Sequence, residues 1–67
     1  MDIEQARKDL RKLLLSRDTS RLSTAFLSIA HDYLNYNYEM SNGMLVSMLN
    51  KLREQPKREQ ALLGETQ

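Results

Sequence analysis

His31 and Asp32 stand side by side, and a base next to a carboxylate is the pairing that proton-transfer chemistry would use. In a helix, however, adjacent side chains point about 100° apart, so this imidazole would not face this carboxylate. No neighbouring residue completes a nucleophile, base and orienter set. The chain has no cysteine, which removes disulfides and thiolate zinc sites, and His31 is its only histidine. With glycine only at Gly43 and Gly64 there is no phosphate-cradling loop. The residues therefore predict a protein without catalytic groups, metal or cofactor.

Charge offers a second kind of chemistry. Arg7 with Arg11, and Lys8 with Lys12, are i,i+4 pairs that draw a short basic stripe along one helix and could track phosphates. The same helix carries Glu4 four residues before Lys8, and Asp9 three before Lys12, spacings that suit ordinary surface pairs. The net charge of +1 is too balanced to point to nucleic acid by itself. A helix-turn-helix would place Asn42-Gly43-Met44-Leu45-Val46 at the start of its reading helix, where Asn42 alone has base-reading chemistry. Groove reading by this helix is not expected.

The third kind is contact chemistry. Tyr33, Tyr36 and Tyr38 crowd six residues and are followed by Met40, Met44 and Met48. Tyrosine and methionine are enriched at interface centres, and methionine re-packs readily against imperfect surfaces. Tyr33, Met44 and Met48 suit a core equally well. Tyr36 and Tyr38 fall in a connection too short to bury both. The contact residues expected for a protein partner are Tyr36, Tyr38 and Met40, followed by Met44 and Met48. The weaker candidates, for nucleic acid, are Arg7, Lys8, Arg11 and Lys12.

Three helices must position these groups. Ile3, Ala6, Leu10, Leu13 and Leu14 recur at i+3/i+4 spacing and predict a helix over 2–16, with Asp2 and Glu4 favourable in its first turn. Arg17-Asp18-Thr19-Ser20 breaks the pattern, with Asp18 or Thr19 as the expected N-cap of a second helix over 20–35. Leu22, Phe26, Ile29 and Tyr33 would form its buried stripe, widened by Ala25, Ala30 and Leu34. Asn37 suits the left-handed conformation that ends a helix. Ser41 is the expected N-cap of a third helix, with Met40 and Leu45 at the staple positions and Met44, Leu45, Met48, Leu49 and Leu52 on its apolar face. Val46 would spread that face, and Pro56 would end the helix at or before Gln55. A short fourth helix could occupy 57–63, closed by Gly64, with 64–67 frayed.

The reading is one all-α domain over 1–67. Leu22 to Leu49 holds 16 of the 27 apolar residues and only two charges, Asp32 and Glu39, while all ten Lys and Arg lie in the flanks. A domain of this size buries only about 60% of its unfolded surface and is marginal alone. An apolar centre and no staple therefore predict packing as a homodimer, with the second and third helices as core and seam. No apolar run approaches the roughly 18 residues of a membrane span. The opening Met-Asp-Ile-Glu-Gln is acidic where a secretory leader would be basic, so a cytoplasmic location is expected.

From Ile29-Ala30-His31-Asp32-Tyr33-Leu34 to Met40-Ser41-Asn42-Gly43-Met44-Leu45, the chain resembles the AriR/YmgB group of small enterobacterial biofilm and acid-stress regulators. The shared pattern is a helix ending in an apolar pair, a short polar turn, a hydrophobic-Ser/Asn start and a Leu-rich second helix. It spans less than half of the chain. Where the group commonly has a turn glycine this chain has Asn37, and the charged first helix has no counterpart in the pattern. The resemblance implies a small helical homodimer joined through the Leu22–Leu52 hairpin, working through signalling partners or DNA. Residues and resemblance together predict a small regulatory or adaptor protein acting by protein–protein contact. The alternatives are a dimeric nucleic-acid binder using the basic first helix, and a small inhibitor of a host or phage enzyme.

Overall fold

A computed structural model describes residues 2–36 and 38–58. These form three helices, α1 (Ile3–Ser16), α2 (Thr24–Tyr36) and α3 (Asn42–Glu54), with no strand among the described residues.

α1 begins where the sequence signals it. Asp2 is extended, and its carboxylate accepts the Gln5 backbone N–H at 3.2 Å, supplying a partner to one of the amides that a helix start leaves open. Ala6, Leu10 and Leu14, spaced by four, form its buried stripe, while Ile3 is exposed and Leu13 half-buried. α3 is equally plain. The Ser41 hydroxyl accepts the Met44 N–H at 3.1 Å, and half-buried Met40 packs on the cluster containing Leu45, as a hydrophobic staple requires. Leu45, Met48, Leu49 and Leu52 are buried; Met44 and Val46 are not. Gln55, forced out of the helical region by Pro56, caps the end with φ −79° and ψ 147°.

α2 departs from expectation at its start. The Asp18 carboxylate accepts the Ser20 N–H at 2.9 Å, the Thr19 carbonyl accepts the Leu22 N–H at 3.0 Å, and the chain turns without entering a helix. Ser23 is the cap instead of Asp18 or Thr19, its hydroxyl accepting the Phe26 N–H at 3.0 Å. The buried side also differs from the expected stripe. Ala30, Tyr33 and Leu34 are buried with Phe26 and Leu27 half-buried, a stripe about 100° wide, whereas Ile29 and Ala25 fall outside it and are exposed. Leu22 is buried from the turn, ahead of the helix.

The core also differs from a two-helix seam. α1 packs most extensively on α3 and less on α2, and the side chains with no exposure at all include Leu10 of α1 with Leu45 and Leu52 of α3. The first helix is thus a full partner in the core.

Beyond Pro56 the chain does not turn helical at Lys57 and Arg58. Lys57 pairs with Arg17 as an antiparallel bridge, Asp18 N–H donates to the Pro56 carbonyl at 2.7 Å, and Arg58 N–H donates to the Ser16 carbonyl at 2.9 Å. Two arginines then cap helix ends across the molecule. Arg58 donates from Nε to the Arg17 carbonyl and from a terminal nitrogen to the Leu14 carbonyl, each at 2.8 Å. Arg17 donates to the Gln55 carbonyl at 2.9 Å and the Arg53 carbonyl at 3.3 Å. Each guanidinium meets the negative end of a helix dipole, that of α1 for Arg58 and that of α3 for Arg17. The rest of the expected fourth helix, the frayed tail and the Asn37 cap lie outside the described residues.

Candidate protein-binding surface

The expected contact residues divide by their place on the helices. Tyr36 ends α2 and Tyr38 lies two residues on; they are 66% and 60% exposed, with ring centroids 5.9 Å apart and planes tilted by 35°. The two rings touch, and both large amphipathic groups stand in solvent. Met44, next to Leu45 but about 100° round the helix, is 48% exposed. Met40 is half-buried at the staple. Met48 corrects the sequence reading: at 5% exposure it fills the core between Leu45 and Leu52, because α3 turns its 45/48/49/52 face inward. Tyr33 joins it there.

Two shallow hollows lie between α2 and α3. One, of about 240 Å³, is lined by Phe26, Ile29, Met44, Ser47, Met48 and Lys51. The other, of about 210 Å³, adjoins it through Ile29 and Met44 and reaches Asp32, Tyr38, Glu39 and Met40. Ile29 is 43% exposed at the centre of this surface. Of these lining residues, Ile29 was expected on the core stripe of α2 and is exposed instead, while Phe26 is half-buried against the core as expected and Lys51 was not singled out. The hydroxyl of Ser23, three residues before Phe26, is the signal that marks the true start of α2.

The basic residues of α1 are less uniform than their spacing suggests. The Arg7 guanidinium lies over the Tyr33 ring, 4.8 Å from its centroid, with a long 3.4 Å contact to the Leu34 carbonyl near the C-terminus of α2. It fastens α1 to α2 by cation–π attraction and the helix dipole. Lys8, Arg11 and Lys12 are exposed, and Lys8 and Arg11 share a groove with Glu4 and Arg7. Asp9 does not turn to Lys12: its carboxylate accepts from the Gln5 amide at 3.0 Å and lies 3.8 Å from Arg53 of α3.

His31 is exposed and Asp32, half-buried, lines the second hollow between α2 and α3. Asp18 is an acid that its surroundings perturb. The Ser20 backbone N–H, then the Ser20 hydroxyl, and more weakly the charges of Arg21 and Arg58, hold its carboxyl below the usual range. Its partners are those of a turn. Among the described residues no three His, Cys, Asp or Glu gather as a metal site would require, and no helix is long and apolar enough to cross a membrane.

Comparison with protein-family models, curated proteins and solved structures finds no match. The likeness to the AriR/YmgB group rests on the residues that carry it.

Proposed function

We propose that this chain is a small non-enzymatic regulator or adaptor that works in the cytoplasm by binding another protein. Its contact point is the Tyr36–Tyr38 pair, flanked by Met40 and Met44. The observation that carries the reading is the exposure of two tyrosines in ring contact, one of them the last residue of a helix that is anchored in the core. A tyrosine on a rigid element offers a large contact area with few torsions to freeze, and it supplies a hydroxyl for orientation. Such residues recur among the few that dominate binding energy.

The nucleic-acid reading draws less support. Arg7 is engaged with α2, and Glu4 shares the groove of Lys8 and Arg11. Binding that weakens steeply with salt would favour it.

The test is a matched capture with wild type and Y36A/Y38A, followed by titration of whichever protein the wild type retains. The double substitution should weaken binding by about 2 kcal/mol, near 30-fold, with helicity unchanged. A folded double variant that binds with wild-type affinity would overturn the assignment.

A further inference from the structure

The two α2/α3 hollows form one strip, since Ile29 and Met44 line both. Its ends carry opposite charge. Lys51 closes the end near Phe26 and Met48, and Asp32 and Glu39 close the end near Tyr38 and Met40. A rise of 1.5 Å per residue sets Lys51 about 10 Å along α3 from Met44. Among the described residues the one ion pair is Arg53 with Asp9, and none uses the charges of Lys51, Asp32 or Glu39.

We infer that this strip is covered by a second copy of the same chain. The two copies are related by a two-fold axis through the Ile29–Met44 centre, and Lys51 of each meets Asp32 and Glu39 of the other. An isologous interface must be complementary to itself, so that each group meets its match when the surface is turned over. A strip that is apolar in the middle, cationic at one end and anionic at the other meets that condition in the antiparallel setting. The parallel setting would stack like charges. The antiparallel arrangement buries Ile29 and Met44 around the axis and forms the ion pairs twice per dimer. The occupant's charges are thus already written on the strip itself. A chain this short, marginal by itself, also gains stability by association. Tyr36 lines neither hollow, whereas Tyr38, Met40 and Met44 line the strip, so a different protein that contacts them competes with the second copy.

The experiment is sedimentation equilibrium of the full chain, K51E and D32K/E39K, each alone and as an equimolar mixture of the two variants. Circular dichroism verifies folding, and K51Q serves as a milder variant in case reversal at the end of α3 unwinds it. Wild type should dimerise, each reversal should weaken the dimer about tenfold or more, and K51Q should weaken it less. The mixture should recover a heterodimer in which the reversed charges face one another. Three results would each overturn the inference: a wild-type monomer up to about 1 mM, reversals that dimerise like wild type, or a mixture no tighter than its components. The tyrosine reading is told apart by Y36A, a residue outside the strip, which should leave dimerisation unchanged and weaken the contact with another protein.

Discussion

The α1/α3 side of the molecule and the α2/α3 strip are built in opposite ways. On the first, Leu10, Leu45 and Leu52 are wholly buried, and Arg17 and Arg58 cross between helix ends to bond four backbone carbonyls. On the second, Ile29, Met44 and Tyr38 are left in solvent around shallow hollows, and no described ion pair uses the charges at either end. The difference separates two tasks in one short chain. One side holds the fold; the other is apolar surface that the fold does not need, which is the usual mark of a surface meant to be covered.

If that division is right, substitutions on the two sides should differ in kind. Leu10→Ala or Leu45→Ala should be the most damaging. A cavity there costs about 2–5 kcal/mol, against the roughly 3–5 kcal/mol that so small a core supplies. Circular dichroism should find either variant largely unfolded at room temperature, and a cooperative melt near that of wild type would place the core elsewhere. Arg58→Ala comes next, removing two hydrogen bonds at 2.8 Å from a guanidinium to carbonyls of α1. Urea titration should show a loss of about 1–2 kcal/mol. Ser41→Ala should cost about 1 kcal/mol through the lost cap of α3. By contrast I29S/M44S, measured in dilute solution, should shift stability by less than about 0.5 kcal/mol.

The smallest effect belongs to Asp18. Its carboxyl is lowered in the folded state by the Ser20 amide, so its contribution is fully present above the ordinary carboxylate range and lost as pH falls through its lowered value. The stability difference between wild type and D18N should narrow as the solution is acidified across that window. A difference independent of pH would show that the turn does not depend on the charge.

The contrast between the two sides also marks what the residues alone could reveal. α1 and α3 were legible almost to the residue, because Asp2, Ser41 and Pro56 are unambiguous punctuation for apolar stripes of regular period. The start of α2 was not. Thr19, Ser20, Ser23 and Thr24 all offer cap oxygens within six residues, and the choice among them accompanies pairing with the distant Pro56–Arg58 segment. That pairing leaves no local trace. The same segment is extended where a further helix was expected, since its backbone is spent on Ser16 and Asp18. At the candidate site, the exposure of Tyr38 accords with a short connection, whereas Tyr36, expected in that connection, is exposed as the last residue of α2. The separation of Met44 from Met48 did not follow from residue type. It required knowing which arc of α3 faces α1, and that arc is set by the packing of Leu10 and Leu14.

The most direct measurement is the urea midpoint as a function of protein concentration, for wild type and I29S/M44S in parallel. A face spare to the fold but covered by a second copy makes the wild-type midpoint rise with concentration, by mass action. The variant should stay flat and meet the wild type at the lowest concentration. A flat wild type, or a variant that lies well below it even in dilute solution, would contradict the division of labour between the two sides.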